Sequence, residues 1–162
     1  MTNSTKSFKD LMSLIPTSVS VVACLDERQV FGCTISSLVS LDVGIDSAKI
    51  LFVLKKESLI GSEISKNKYF SINVLTNTQQ KYAEYYSRER EPDQVDDNKW
   101  QIENAKYASL LDSKVIFKCE LHELIDTYPA NIFVGKVIDA KPGLEEKPLI
   151  YSSRKFHETK EW

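Results

Sequence analysis

Strand-like segments follow one another along most of this chain, with only short polar breaks between many of them. Thr17 to Leu25 has the pattern of a strand, Asp26-Glu27-Arg28-Gln29 that of a polar turn, and a second strand begins at Val30. A break of four polar residues between two strands predicts a hairpin and hence an antiparallel pair. Parallel strands would need crossover segments, usually helices, and the chain has no regular series of these. The pattern therefore predicts a mainly β, antiparallel fold.

The remaining elements bring the prediction to about seven strands and three short helices. Further strands are predicted at Lys49 to Leu54, Tyr69 to Leu75, Ser113 to Leu124, Asn131 to Ala140 and Leu149 to Tyr151. Helices are predicted from Ser7 to Leu14, from Leu59 to Lys66, and from a capping box at Thr76 and Gln79 to about Tyr86. Ser87 to Gln101 is predicted to be a solvated loop or lid, and Tyr107 to Leu111 a short apolar turn. A closed or nearly closed antiparallel barrel fits best, because closure removes exposed strand edges.

Length, charge and cysteine content bound the class of protein. The 162 residues, 1–162, are expected to form a single domain. The 21 basic and 23 acidic residues are interspersed, which argues against a nucleic-acid partner. No apolar run approaches the roughly 18 residues of a membrane span, and residues 1–7 lack the apolar region of a signal peptide. The cysteines Cys24, Cys33 and Cys119 lie in apolar contexts, so we expect a cytoplasmic protein with reduced thiols.

The run from Val30 to Leu41 changes from apolar to hydroxyl-rich without carrying a charge. Its hydroxyls are Thr34, Ser36, Ser37 and Ser40. Such a run is typical of a strand that ends beside a polar, uncharged ligand site. It is also typical of a strand that runs into an ordinary serine-rich turn, and the segment by itself leaves both interpretations open.

Most common catalytic and nucleotide-binding motifs are absent. The five glycines are too far apart for a dinucleotide fingerprint or a P-loop, there is no GxSxG, and the two histidines form no metal-spaced pair. What remains is a site of hydroxyls, backbone amides and a helix N-terminus. Lys55-Lys56-Glu57-Ser58 precedes a predicted helix, and a helix N-terminus favours anions such as phosphate. The alternative is that Ser58 is a simple N-cap and the lysines are solvated.

Six segments, in the same order, resemble motifs of the flavin reductase family, the FMN-binding split barrels that supply reduced flavin to two-component monooxygenases. Gly32 to Leu41 is similar to that family's GxTxSSxxSxS flavin loop, and Ile132 to Val137 is similar to its IFVGxV strand. The other four are Phe8 to Leu14 with Pro16 to Val22, Lys55 to Ser58, Tyr69 to Leu75 with Gln79, and Pro148 to Tyr151 with Arg154 and Phe156. The resemblance covers nearly the whole chain and implies an antiparallel Greek-key split β-barrel with a few short flanking α-helices.

The resemblance also implies where a flavin, FMN or FAD, would bind. The implied cofactor-binding residues are Thr34, Ile35, Ser36, Ser37, Leu38, Lys55, Ser58, Asn73 and Arg88. The flavin would lie along Thr34 to Leu38, with Lys55, Ser58 and Arg88 at its phosphate end. For Asn73, a structural amide inside a strand is an equal alternative. The tyrosines Tyr82, Tyr85 and Tyr86 share a helix face that is expected to pack on the barrel or on a partner subunit.

The activity implied by the resemblance is hydride transfer from NADH or NADPH to the flavin, which needs no catalytic acid or base. It also implies a homodimer and a partner monooxygenase. One departure bears on the nicotinamide: where the family often has Gly-Asp-His, this chain has Tyr128-Pro129-Ala130-Asn131. His157 is a possible substitute, although a solvated histidine is the other interpretation. An FMN-binding carrier or electron-transfer protein without reductase activity is therefore an alternative function, and a barrel without a cofactor is a third.

Overall fold

The computed structural model describes residues 2–44 and 46–159, and it has three α-helices and thirteen strands in those ranges. The helices are α1 (Thr2–Ser13), α2 (Leu59–Asn67) and α3 (Gln80–Tyr86), the last of them preceded by a 3-10 turn at Asn77–Gln79. The first seven strands are β1 (Thr17–Ser18), β2 (Ser20–Asp26), β3 (Gln29–Ile35), β4 (Val39–Asp42), β5 (Lys49–Lys55), β6 (Tyr69–Val74) and β7 (Asp93–Gln94). The other six are β8 (Trp100–Glu103), β9 (Tyr107–Leu110), β10 (Val115–Asp126), β11 (Ala130–Pro142), β12 (Leu149–Ser152) and β13 (Lys155–Glu158).

Eight of the strands form one sheet, in the order β4-β5-β11-β10-β6-β2-β3-β7, and every pairing in it is antiparallel. Only residues 36–38 connect β3 to β4, although these strands lie near opposite ends of the sheet. From Ile35 to Val39 the backbone spans at most about 14 Å, so the sheet must curl until its two ends meet. At this seam the Ser37 hydroxyl accepts a hydrogen bond from the Val53 amide on β5, at 3.0 Å.

Two apolar clusters lie on the two sides of β2. Val21, Ala23 and Leu25 belong to one cluster, whereas Val22 and Cys24 belong to the other. The second cluster holds three buried phenylalanines. The Phe52 ring stacks on the Phe133 ring with 5.3 Å between their centroids, and it meets the Phe70 ring edge-on with 5.4 Å between theirs. Successive side chains of a strand point to opposite faces of the sheet, so β2 contributes to both clusters. This explains why β2 is apolar on both faces.

The sequence predictions for the fold class and for most elements are confirmed. The fold is mainly β with antiparallel sheets and short helices, and β2 pairs with β3 as a hairpin. The three predicted helices are present, and in the predicted capping box the Gln79 side chain accepts a hydrogen bond from the Thr76 amide. The cysteines are free, and Cys24 and Cys119 are buried as expected. Burial raises the pKa of the Cys24 thiol to about 12.

The prediction of an apolar turn at Tyr107 to Leu111 is wrong. Residues Tyr107–Leu110 form the buried strand β9, which pairs with β8. The strand is held by polar side chains of β6: Ser71 donates to the Ala108 carbonyl at 2.6 Å, and Asn73 accepts from the Leu110 amide at 2.8 Å. Because these partners lie more than thirty residues away in the chain, nothing within the segment itself indicates a strand.

The hairpin of β8 and β9 is tied to the sheet by a network of four charges. The ammonium group of Lys118, on β10, contacts Glu103 on β8 at 2.5 Å and Asp139 on β11 at 2.9 Å. Lys141 contacts the other oxygen of Glu103 at 3.0 Å. The Lys118 side chain is only 9% exposed, so its charge is nearly removed from water and depends on these two carboxylates.

Within the described residues, no helix has the length and apolar character that crossing a membrane requires.

Candidate functional site

A cleft of about 510 Å³ opens at the seam of the curled sheet. Three parts of the chain line it: the end of β3 and the turn after it, the end of β5 with the start of α2, and the segment that follows α3. Its lining residues are 32–37, 53–55, 57–60 and 86–90. The cleft therefore contains seven of the nine residues that the family resemblance implies, namely Thr34, Ile35, Ser36, Ser37, Lys55, Ser58 and Arg88.

The hydroxyls of the β3 end have different surroundings. Thr34 donates to the Ala83 carbonyl of α3 at 2.8 Å, and Ser37 bonds the Val53 amide across the seam. Ser36 is exposed and makes no hydrogen bond with its side chain among the described residues. Thr34 and Ser37 thus hold the walls of the cleft in place, and Ser36 is the hydroxyl left available to a ligand.

The start of α2 forms the second wall. Ser58 is its N-cap, and the Ser58 hydroxyl accepts a hydrogen bond from the Gly61 amide at 3.2 Å. The next two amides, those of Leu59 and Ile60, have no acceptor within the helix because they belong to its first turn. Both residues line the cleft, with the exposed Lys55 three residues before Ser58. The N-cap interpretation of Ser58 is confirmed, and it leaves a helix end and a cation facing the same cleft.

The third wall is the segment that leaves α3. The Tyr86 ring lies so close to β3 that a Cβ at Gly32 would stand 2.6 Å from two of its atoms. Arg88 is exposed at the rim, and the Arg90 guanidinium lies 3.6 Å from the centroid of the Tyr85 ring. Gly32, Tyr86 and Arg90 were not identified as site residues from the sequence. Gly32 and Tyr86 are more than fifty residues apart, and only the fold brings them into contact.

Two implied site residues do not line the cleft. Asn73 is fully buried, donates to the Val21 carbonyl at 3.1 Å and the Ser71 hydroxyl at 3.0 Å, and accepts from the Leu110 amide at 2.8 Å. Its amide is fully used in joining three strands, so Asn73 is a structural residue. Leu38 is half-buried and packs against the second apolar cluster, the one that holds Phe52, Phe70 and Phe133.

In the family resemblance, Ala130 takes the place of the histidine and is the residue expected to face the nicotinamide. Ala130 pairs with Lys55 across β11 and β5, so it lies beside a residue that lines the cleft. His157 does not line the cleft, and its Nε2 atom lies 3.0 Å from the Ser152 carbonyl oxygen. A smaller pocket of about 290 Å³ adjoins the cleft, shares Thr34, Ile35, Ser36 and Ser87 with it, and is lined on its far side by Tyr151 and Phe156.

The cleft suits a flavin nucleotide in size and in chemistry. Its volume falls within the roughly 300–1,000 Å³ of small-molecule sites. The available hydroxyl of Ser36 lies on one side, while Lys55, Arg88, Arg90 and the α2 N-terminus supply positive charge for a phosphate. The described residues contain no cluster of three or more side chains that could bind a metal ion.

Comparison with known proteins agrees with this geometry. Residues 12–160 match the family described as the flavin reductase like domain. The chain is 25% identical over 158 residues to an NADPH-flavin oxidoreductase of Streptomyces viridifaciens. The match covers 94% of this chain and 80% of that protein. It is also 25% identical over 151 residues to the FMN reductase (NADH) SmoA of Agrobacterium fabrum, covering 93% and 84% of the two chains.

A similar solved structure is BorF, the flavin reductase component of a bacterial two-component tryptophan halogenase. The two structures superpose with a TM-score of 0.86 at 25% identity, and the match covers 98% of this chain and 99% of BorF. Because the family match spans residues 12–160, nearly the whole chain, this chain belongs to the flavin reductase like domain family.

Proposed function

We propose that this protein is an NAD(P)H:flavin oxidoreductase that transfers a hydride from NADH or NADPH to FMN or FAD. The observation that carries the proposal is the cleft at the seam, where a hydroxyl-lined strand end, a helix N-terminus and cationic side chains face one space. The names of the two curated relatives support it, since one is an NADPH-flavin oxidoreductase and the other an FMN reductase that uses NADH. Residues 1–162 are proposed to act as one domain.

The residues of the cleft have distinct roles in this proposal. The backbone of Thr34 to Ser37, which lines the cleft, would hold the edge of the flavin ring, and the free Ser36 hydroxyl would bond to it. Lys55, Arg88 and the capped start of α2 at Ser58 would hold the phosphate end. When bound, the flavin supplies the hydride-accepting chemistry, so the protein needs no acid or base of its own. Orientation of the two ligands is then the main catalytic contribution of the chain.

A second candidate function is a flavin-binding carrier or electron-transfer protein that does not react with nicotinamide nucleotides. The observation that favours it is Ala130, which lies beside the cleft-lining Lys55 and offers no polar side chain there. This alternative uses the same flavin site, so flavin binding by itself does not separate the two functions.

A steady-state assay tests the proposal. We expect the purified protein to oxidise NADH or NADPH only when FMN or FAD is added, as followed by the absorbance of the reduced nicotinamide. Quenching of flavin fluorescence without oxidation of either nucleotide would instead support the carrier. Absence of both signals would remove both functions and leave a barrel without a cofactor.

We also propose that the protein is a homodimer. The support is an apolar face on α1 and the turn after it: Phe8, Leu11 and Met12 on the helix and Ile15 just beyond it are between 50% and 63% exposed. Exposed apolar faces of this kind mark interaction surfaces. Sedimentation equilibrium should give twice the chain mass of 18.5 kDa. Leu11→Asp should shift it towards the monomer, whereas Lys9→Glu, away from this face, should leave it unchanged.

Reduced flavin is proposed to pass from this protein to a partner monooxygenase. The support is its similarity to BorF, which is the flavin reductase component of a two-component tryptophan halogenase. A cytoplasmic location is proposed because reduced nicotinamide nucleotides are available there. The three free cysteines support a reducing compartment.

A further inference from the structure

The rim of the cleft is a short loop whose two ends are joined by side chains. Residues 87–92 leave α3 and lead into β7, which begins with Asp93. The Asp93 carboxylate accepts hydrogen bonds from both tyrosines at the end of α3, from Tyr85 at 2.7 Å and from Tyr86 at 2.5 Å. The backbone of Asp93 also pairs with Val30 on β3. One residue therefore fixes the far end of the loop to both the helix and the sheet.

Lys99 completes this anchor from the other side. Its ammonium group lies 2.8 Å from an Asp93 oxygen, and both side chains are only 17% exposed. The same ammonium lies 4.7 Å and 4.8 Å from the ring centroids of Tyr85 and Tyr86. Burial opposes ionisation of Asp93, but the bonds from Lys99 and the two tyrosines outweigh it and hold its pKa below the usual range. The carboxylate is thus charged and shared by three donors.

The loop closed by this anchor carries the rim arginines. Arg88 and Arg90 both line the cleft, and Arg90 stacks on Tyr85, one of the two tyrosines that Asp93 holds. The other, Tyr86, forms the cleft wall against Gly32. Arg88 makes no ion pair within the described residues, so its position depends on the backbone of the loop.

We propose that Asp93 is a positioning residue for flavin phosphate: by binding Tyr85, Tyr86 and Lys99 it holds the loop so that Arg88 and Arg90 face the phosphate end of the cleft. This inference rests on the proposed flavin site and assigns a role to a residue outside it, since Asp93 itself does not line the cleft. The inference predicts a selective effect on affinity. Binding of a flavin that carries a phosphate depends on Asp93, and binding of a flavin without a phosphate does not.

The test compares FMN with riboflavin, which has the same ring and no phosphate. Asp93→Asn keeps the shape of the side chain but removes the charge shared by the three donors. We expect the FMN dissociation constant, measured by flavin fluorescence, to rise about tenfold, the scale of one charge-assisted hydrogen bond. The riboflavin dissociation constant should change less than about twofold. Asp97→Asn, at an exposed carboxylate of the same segment, should change neither.

A second set of variants separates positioning from general damage. In an Arg88→Gln/Arg90→Gln background, Asp93→Asn should cause no further loss of FMN affinity, because the groups that it positions are gone. Tyr85→Phe removes a single bond to Asp93 and should produce a smaller loss with the same preference for FMN. This milder variant supplies the answer if Asp93→Asn does not fold.

Two results would overturn the inference while leaving the proposed function intact. In one, the affinities for FMN and for riboflavin fall equally in Asp93→Asn and Tyr85→Phe, which would show damage to the cleft wall. In the other, neither variant changes FMN affinity. If the wild-type protein binds neither flavin, the proposed function itself fails.

Discussion

Replacing Gly32 with valine is expected to abolish most flavin binding and to destabilise the protein. The added Cβ would lie 2.6 Å from the Tyr86 ring, which is buried and cannot move without disturbing its bond to Asp93. Overpacking of this kind costs about 1–3 kcal/mol in the free energy of unfolding. Because Tyr86 is a wall of the cleft, we expect FMN affinity to fall by more than about tenfold, a loss of roughly 1.4 kcal/mol or more.

Gly135→Val is the matched control. Gly135 is also a strand glycine, and its added Cβ would lie 2.5 Å from the Phe70 ring in the second apolar cluster, outside the cleft lining. Chemical denaturation should show a similar loss of stability in both variants, whereas only Gly32→Val should lose FMN binding in a fluorescence titration. Equal FMN affinity in the two folded variants would contradict the assignment of the cleft.

Replacing Lys118 with methionine is expected to give a large loss of stability without a loss of flavin affinity in the folded protein. Methionine keeps an apolar stem and leaves Glu103 and Asp139 without their shared cation. Breaking a buried ion pair costs about 3–5 kcal/mol, and exposed pairs contribute about 0–1 kcal/mol. Glu103 keeps Lys141 and Asp139 is 52% exposed, so we expect an intermediate loss of about 2 kcal/mol in the free energy of unfolding.

The effect of Lys118→Met should depend on pH in one direction. Burial opposes ionisation of Glu103, but the bonds from Lys118 and Lys141 hold its pKa below the ordinary 4.5, and the bond from Lys118 lowers that of Asp139 below 3.8. Stabilisation from depressed carboxyl pKa values is complete above the ordinary values and is lost as pH falls through the folded ones. The difference between wild type and variant should therefore be constant near neutral pH and shrink below about pH 4.5.

Lys56→Met supplies the control for this experiment, because Lys56 pairs with Asp126 where both side chains are exposed, at 45% and 70%. It should change the free energy of unfolding by less than about 1 kcal/mol. If the two lysine variants lose the same stability, the charge network does not hold the β8–β9 hairpin to the sheet.

Local patterns in the sequence were sufficient where the determining contacts are local. The hairpin of β2 and β3 follows from a polar break between two strand-like runs, and the N-cap at Ser58 from a hydroxyl before an apolar helix face. The short strand β9 was missed because its support comes from Ser71 and Asn73 on another strand. Its own four residues show only that the segment is apolar.

The site, like the fold, was predictable from the sequence only where its determining contacts are local. The run at Thr34 to Ser37 and the turn at Lys55 to Ser58 each carry their own signal, and the structure brings them to one cleft. The role of Asn73 depends on which strand covers β6, which a single segment cannot indicate. Likewise, Tyr86 becomes a wall only because a distant glycine on β3 leaves room for its ring.

The central claim is that the protein passes a hydride from NADH or NADPH to bound flavin. Mixing the FMN-bound protein with either nucleotide under anaerobic conditions tests it most directly. The hydride should pass to the flavin held in the cleft, so the visible absorbance of the flavin should fall after NADH or NADPH is added. This result requires that the nicotinamide reach the flavin although Ala130 stands beside the cleft-lining Lys55. A protein that binds FMN but keeps its full visible absorbance with both nucleotides would contradict the proposed reductase and leave the flavin carrier in its place.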